Sequence, residues 1–374
     1  MYPPCATNIP KDCNEKYYCV KKGMGGHEGA FINFIDPAKK SKCKYIECGK
    51  KFQKNDKELV IYKKLHKLVK NSAIPSVFLE HFSNFHKKYC SINGLDYFSI
   101  ENLNKNLGNN VRNIDIKLGY KSAFKHDSGL LKSTRHKFIN TKYSTSHEYG
   151  FRLEGTTLKD DILEANKNSE TLYNDNIDKY ITHAGLPASI KDLLYGKIEK
   201  DSLSTLKKKE KYDLYVIHPL IVLNIFFKHN KKKANDLYDK LFDMVQNFIL
   251  PNIKTALRLK SKSSSKKKAI GFVGSSLFLL YGSKDVRAKI IDIAHPYILD
   301  AETPDKTKEN SFKVIYNMTM GVLSFIIILD YWIYINDNTW IKKNKNARKL
   351  ISSSYALFIK DKESILKFKT FPYV

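Results

Sequence analysis

Two short stretches of the chain have the pattern of strands that border a polar site. Residues 114–118 alternate strictly between apolar and charged side chains. Because successive side chains of a strand point to opposite faces, Asp115 and Lys117 should share one face while the three apolar residues anchor the other. A carboxylate and an ammonium group held side by side on a strand suit contacts to a polar ligand.

The second stretch, residues 290–295, is apolar around Asp292 before it ends in a histidine. This pattern predicts a buried strand with one carboxylate at its mouth. Enzymes of phosphoryl transfer often hold Mg²⁺ with such an acid, so Asp292 is the candidate metal ligand. The alternative is an aspartate that caps the next segment.

Helical spacing of apolar residues predicts helices over residues 55–70, 234–250 and 314–334. Residues 1–22 are expected to form a flexible leader. Residues 156–212 are polar and rich in Lys, Asn and Ser, which predicts loop and loosely packed helix. Residues 261–268 predict a basic, flexible loop.

The composition indicates a protein that binds anions. The chain has 374 residues, of which 42% are hydrophobic, and a formal net charge of +27. This charge suits nucleic acid, an anionic membrane or a polyphosphorylated small molecule, although solvated surface lysine explains part of it. The lysine runs at 207–209 and 266–268 lack the interleaved aromatic residues of a base-stacking surface, so we expect no nucleic-acid partner.

The apolar stretches 216–227 and 322–335 are shorter than the ~20 residues of a membrane-spanning helix, so we expect core helices and no membrane span. No secretory pattern is visible near the N-terminus, and we expect an intracellular monomer in the cytoplasm, the nucleus or both. The 6 cysteines should be reduced thiols. The alternative is a zinc site that uses Cys43, Cys48, His81 and His86.

Several motifs occur together in the order known from one enzyme family. Residues 111–119 resemble its P-x-x-x-D-x-K-x-G signature, with Val111 in place of the proline. Residues 286–295 are similar to its V-R-x-I-D-F-A-H, with Ile293 in place of phenylalanine. Further similarities lie at 25–29 (G-G-H-x-G), 57–62 (R-E-x-x-F-Y), 100–104 (L-E-N-L-T), 150–155 (G-F-R-x-x-G) and 275–281 (S-S-L-L-x-x-Y). By these motifs the chain resembles the inositol polyphosphate kinases.

The resemblance implies an α+β, two-lobed, kinase-like fold of the ATP-grasp or protein-kinase type. It would contain antiparallel sheets, helices and a helical substrate-binding insert. The N-terminal lobe would span residues 23–100 and the C-terminal lobe residues 101–374, with the insert at 120–149.

The resemblance also implies the site residues. Asp292 would bind Mg²⁺, Lys117 would contact the transferred phosphate or the inositol phosphates, and Ser275 would assist around the metal, unless it is a structural serine. The ATP phosphates would be bound by Lys44, with Lys42 as the second choice, and Glu58 would also take part in ATP binding. Main-chain groups of Glu101 and Leu103 would also bind ATP. Asp115 would contact the ribose, and Asp292 would bind ATP through the metal. The substrate phosphates would be bound by Lys117, Lys121, Lys125, Lys132, Arg135, Lys137 and Arg152.

The implied activity is ATP- and Mg²⁺-dependent phosphorylation of an inositol tris- or tetrakisphosphate, as in the multikinase branch. Asp115-Ile116-Lys117-Leu118-Gly119 and Gly150-Phe151-Arg152 favour this branch over the hexakisphosphate kinases. A pyrophosphate-forming hexakisphosphate kinase is the first alternative. A catalytically weak protein that binds polyphosphates or nucleic acid is the second.

Overall fold

The computed structural model describes residues 17–20, 31–35, 45–52, 57–92, 95–120, 144–168, 176–195, 210–261 and 266–362. They form two compact units. The first contains the described residues up to Val111 together with Gly282–Asp285, and the second contains Arg112–Tyr281 and the described residues from Val286 onwards. The predicted lobe boundary at residue 100 lies eleven residues before this division.

The first unit is an antiparallel sheet with one long helix. The strand order is β1-β2-β3-β5-β4. The strands are β1 (Tyr17–Val20), β2 (Phe31–Ile35), β3 (Tyr45–Phe52), β4 (Phe85–Ile92) and β5 (Leu95–Glu101). Helix α1 (Lys57–Lys70) buries the predicted apolar stripe, and its Tyr62 ring stacks on Phe85 at 5.8 Å.

A distant turn joins this unit through main-chain hydrogen bonds. Lys284 N–H donates to Leu107 O at 2.9 Å, and Ser283 N–H donates to Asn109 O at 3.2 Å. These bonds fix residues 107–109 to the turn 282–285. They account for the place of Gly282–Asp285 in the first unit, and the sequence pattern does not predict such a long-range contact.

The second unit contains two antiparallel sheets. The larger sheet has the order β10-β9-β6-β7, and the smaller one pairs β11 with β8. The strands are β6 (Arg112–Leu118), β7 (Phe151–Thr156), β8 (Ala269–Phe272), β9 (Ser276–Tyr281), β10 (Val286–Ile291) and β11 (Pro296–Leu299). The predicted α+β class is confirmed. Strand β6 has neighbours on both sides, so Asp115 and Lys117 do not lie on an edge strand.

The helices of the second unit surround one buried helix. They are α2 (Thr145–Tyr149), α3 (Lys159–Asn168), α4 (Ile177–Ala184), α5 (Ala188–Tyr195), α6 (Pro219–Phe227), α7 (Lys231–Met244), α8 (Leu250–Lys260), α9 (Asp305–Asn336) and α10 (Lys345–Phe358). Short 3-10 turns lie at Glu210–Val216, Asn338–Lys342 and Ile359–Asp361. A π turn, Val245–Ile249, joins α7 to α8. The helical stretch therefore continues past Pro251, although the sequence predicts that it ends at residue 250.

Helix α9 is the buried core helix that the apolar run predicts, but at 32 residues it is longer than predicted. Within the described residues it is the one helix long and apolar enough to cross a membrane, and 94% of its most apolar window is buried in the fold. Its Asp330 is held in the core by Trp340 Nε1 at 2.6 Å, by Arg348 Nε at 2.6 Å and by the Tyr180 hydroxyl. Burying this carboxylate requires such partners.

The prediction for residues 156–212 needs correction where these residues are described. Helices α3, α4 and α5 bury Ile162, Tyr180, Ile190 and Leu193 almost completely. The polar composition hid this packing because each helix is short and contributes only a narrow apolar face. In the predicted flexible loop 261–268, Lys268 forms an ion pair with Asp300 at 2.7 Å.

Two glycines, Gly119 and Gly321, allow α9 to approach the ends of β6 and β7. A Cβ on Gly321 would lie 2.7 Å from Gly150 O and 3.1 Å from Gly119 N. Gly119 has φ +104°, a Cβ there would overlap the Asn317 side chain, and its N–H donates to Gly150 O at 2.7 Å. Asn317 Oδ1 in turn accepts from Tyr120 N at 2.7 Å. The glycine of the signature motif is therefore required by packing.

We predict that Gly119→Ala lowers the free energy of unfolding by about 2–4 kcal/mol, because it combines backbone strain with overlap at Asn317. Urea denaturation measures this loss. Gly185→Ala is the matched control, since Gly185 has φ +61° but no atom within 4 Å of the added Cβ. The control should lose only about 1 kcal/mol from strain. Equal losses in the two variants would contradict the packing argument.

Candidate active site

A row of three polar side chains crosses three neighbouring strands of the larger sheet. Lys117 on β6 is the register partner of Ser276 on β9, and Ser276 is the partner of Ile291 on β10. Asp292 directly follows Ile291. Lys117 Nζ donates to Ser276 Oγ at 2.9 Å and to Asp292 Oδ2 at 3.1 Å. We call Lys117, Ser276 and Asp292 the charged row.

The predicted strand 290–295 ends earlier than its apolar pattern indicates. Strand β10 stops at Ile291, and Asp292 has φ +58°, in the left-handed region that non-glycine residues seldom adopt. Such strain is often found at functional sites. The turn places the Asp292 carboxylate against Lys117, which the sequence alone could not predict.

The two ends of the ion pair differ in exposure. The Lys117 side chain is 14% exposed, whereas the Asp292 side chain is 43% exposed. The ammonium group is therefore held from inside the fold, and the carboxylate faces solvent. An anion or a hydrated cation can reach the row from the Asp292 side.

Asp115 is a half-buried carboxylate beside the charged row, with one oxygen fully buried. Its Oδ1 is buried and has no hydrogen-bond partner among the described residues. Burial raises the pKa of Asp115 above its usual value, and the Asp292 charge adds to the rise. Lys117 and the Ser276 hydroxyl offset only part of it. An unsatisfied buried acceptor is costly, so its presence here favours a ligand that donates to it or a cation that binds it.

The donor set fits Mg²⁺. This ion keeps several waters and is usually bound by one or two protein carboxylates together with substrate phosphates. Asp292 supplies an accessible carboxylate, which substrate phosphates and waters would complement. No cluster of three or more His, Cys, Asp or Glu side chains lies within the described ranges. A site with few protein ligands is thus the kind that these residues can form.

The serine of the row is Ser276, and the contacts of Ser275 are those of the structural serine that the sequence left open as the alternative. Ser275 is fully buried, and its Oγ donates to Phe272 O at 3.2 Å. It lies just before β9, in the turn that follows Gly274. The two adjacent serines could not be distinguished from the sequence, because the choice depends on where the strand begins and which residue pairs with Lys117.

Arg152 is placed beside Lys117 but is not available to a phosphate, contrary to the prediction. It is the register partner of Lys117 and is only 2% exposed. Its guanidinium forms an ion pair with Glu154 at 2.9 Å and donates to Ser146 Oγ at 3.3 Å. The sequence pattern missed this burial because the partners come from three separate segments.

The other predicted ligands fall into two groups. The first group lies in the first unit. Glu58 is buried there, and Glu101 N–H donates to Asn84 O at 2.8 Å. Leu103 lies in the segment after β5. Their contacts to ATP stay predictions. The remaining candidates lie outside the described residues: Lys42, Lys44, Lys121, Lys125, Lys132, Arg135 and Lys137. His81, a candidate ligand of the alternative zinc site, is buried. The side chains of the other three candidates, Cys43, Cys48 and His86, are not described by the structure.

Comparison with known proteins identifies the family. The family model described as inositol polyphosphate kinase matches residues 97–329, more than half of the chain. This stretch contains Asp115, Lys117, Ser276 and Asp292. The chain therefore belongs to the inositol polyphosphate kinase family, and the predicted family and class of enzyme are confirmed. No curated protein sequence matches the chain significantly.

Two solved structures resemble the chain at low identity. The crystal structure of the inositol phosphate multikinase Ipk2 from S. cerevisiae, in complex with ADP and Mn²⁺, is 16% identical, with a TM-score of 0.41 over 78% of this chain and 99% of that one. A second inositol phosphate multikinase structure, from a protein-engineering study, is 14% identical, with a TM-score of 0.35 over 73% and 97%. Both TM-scores are below 0.5, so neither likeness supports a conclusion about the site.

We predict that Asp115→Asn raises the free energy of unfolding at pH 7, because it replaces a buried charge with a neutral group of the same shape. A raised pKa means that the folded state binds the Asp115 proton more tightly, so wild-type stability falls as pH rises through the ordinary and then the raised pKa. Denaturation at pH 7 and near pH 4 tests this. The gain should shrink as pH falls below the raised pKa, where the wild-type carboxyl becomes protonated. A variant less stable than wild type at pH 7 would contradict it.

Proposed function

We propose that the protein transfers the γ-phosphate of ATP to a hydroxyl group of an inositol tris- or tetrakisphosphate, with the help of Mg²⁺. The observation that carries the proposal is the charged row, in which Lys117, Ser276 and Asp292 are held together by the register of three strands. Family membership supports the class of substrate, and the motif residues at 115–119 and 150–152 favour the multikinase branch.

Phosphoryl transfer requires positioning and neutralisation of charge more than covalent chemistry by the protein. Mg²⁺, when bound, would neutralise charge on the ATP phosphates. Asp292 would hold it through its exposed carboxylate. Lys117 would then turn from Asp292 to the transferred phosphate, a short movement because the ammonium group already lies between Ser276 and Asp292.

Asp115 supplies a buried hydrogen-bond acceptor on the same face of β6. The ribose of ATP carries hydroxyl groups that can donate to it, in line with the family resemblance. A ligand hydroxyl would satisfy Oδ1 and so recover part of the cost of burying the carboxylate.

The substrate class also accounts for the charge of the segment between β6 and β7. Lys121, Lys125, Lys132, Arg135 and Lys137 lie in this segment, which leaves the described fold after Tyr120 and returns at Ser144. The segment begins just after β6, and helix α2, which follows it, ends at Gly150, whose carbonyl accepts from Gly119 N–H at 2.7 Å. A substrate with three or four phosphates would match its charge.

Incubation of the pure protein with Mg²⁺-ATP and inositol tris-, tetrakis-, pentakis- or hexakisphosphate, followed by chromatography, tests the proposal. We expect conversion of the tris- or tetrakisphosphate, and none after removal of divalent ions by chelation. A product from hexakisphosphate alone would place the chain in the pyrophosphate-forming branch. Binding without any product would contradict the kinase proposal and favour the polyphosphate-binding alternative.

Asp292→Asn serves as the active-site control. It should reduce kcat by at least about 10²-fold, because it removes a charge that the reaction requires. The loss of a half-exposed ion pair should cost at most about 1 kcal/mol of stability. Asp300→Asn is the matched variant, since it breaks the Lys268–Asp300 pair of the smaller sheet. It should leave kcat within about twofold of wild type.

A further inference from the structure

A second charged cluster adjoins the charged row on β7. Arg152 Nε donates to Glu154 Oε2 at 3.1 Å, and the guanidinium carbon lies 5.0 Å from the centre of the Tyr215 ring. Tyr215 Oη donates to Glu154 Oε1 at 3.1 Å, and Arg152 Nη1 donates to Ser146 Oγ. We call Ser146, Arg152, Glu154 and Tyr215 the β7 cluster.

A bulge in β7 makes the cluster possible. Asp115 pairs with Gly155 and Ile116 pairs with Leu153, so Glu154 is an extra residue without a partner on β6. A bulge redirects a side chain and is common beside active sites. Here both carboxylate oxygens of Glu154 are bonded within the cluster, so it acts on its neighbours in the fold.

The cluster attaches a short helix to the strand that pairs with β6. Helix α2 contributes Ser146 to Arg152, and Thr145 Oγ1 donates to Tyr215 O at 3.0 Å. The helix ends at Gly150, whose carbonyl accepts from Gly119 N. The C-terminal end of α2 is thus held next to the end of β6 that carries Lys117.

We propose that Arg152 is a positioning residue for the phosphorylated substrate, which it serves by fixing α2 against β7. Replacing a buried ion pair by apolar residues is often neutral for stability, so such a pair is better explained by the geometry that it specifies. The fork of the guanidinium is suited to this task because it reaches Glu154 and Ser146 at once. The expected effect of Arg152 on substrate binding rests on the proposed function, whereas its expected effect on α2 does not.

Ser146→Ala tests the proposal without leaving a charge unpaired. Hydrogen exchange should be about tenfold faster at the α2 amides, residues 145–149, since one hydrogen bond to a charged group is lost. The KM for the inositol phosphate should rise about tenfold while the KM for ATP stays within about twofold. Arg152→Lys keeps the positive charge but loses the guanidinium nitrogens that reach Glu154 and Ser146 at once. It should give the same selective rise in the KM for the inositol phosphate.

Ser352→Ala is the matched control, because Ser352 is a buried serine on α10 whose Oγ donates to Lys349 O at 3.2 Å. It should change neither the exchange of α2 nor either KM. Unchanged exchange in Ser146→Ala, or equal changes in the two KM values, would overturn the positioning role even if the enzyme is active. If the wild-type protein phosphorylates no inositol phosphate, the proposed function fails, and the exchange measurement still decides whether Arg152 fixes α2.

Discussion

The ion pair between Lys117 and Asp292 is the interaction on which the site depends. It joins two strands that are not neighbours, β6 and β10, across β9 between them. Each partner needs a different constraint. Lys117 needs the alternation of β6, which directs it to the polar face, and Asp292 needs the left-handed turn that ends β10. Ser276 lies between them and fixes the position of the ammonium group.

The packing of α9 keeps this arrangement in place. Gly119 and Gly321 allow α9 to lie directly against the ends of β6 and β7, where a Cβ on either would overlap, and Gly150 contributes the carbonyl that Gly321 packs against. Asn317 adds a side-chain bond to Tyr120 N. A close, polar contact of this kind leaves β6 little freedom to shift in register, and a shift by one residue would turn Lys117 away from Asp292. The glycines of the signature motifs thus serve the chemistry indirectly.

Local pattern predicted some elements, such as β6 and the core helix α9, but not the residues with which they pack. The alternation at 114–118 predicted the two faces of β6 correctly, and the apolar run after residue 314 predicted the core helix. Ser276 and Arg152 show where such patterns stop being informative. The choice between Ser275 and Ser276 depends on which residue of β9 pairs with Lys117, and the burial of Arg152 depends on Tyr215, 63 residues away in sequence. The raised pKa of Asp115 likewise comes from burial, which depends on the assembled sheet.

A double-mutant cycle on Lys117 and Asp292, measured on the phosphoryl-transfer step in single turnovers, tests the central claim most directly. Lys117 and Asp292 act as one unit across the sheet. Lys117→Met and Asp292→Asn should therefore each slow transfer by at least about 10²-fold, and the double variant should be little slower than either. Losses that multiply in the double variant would contradict the account, because they would show that the two residues act independently.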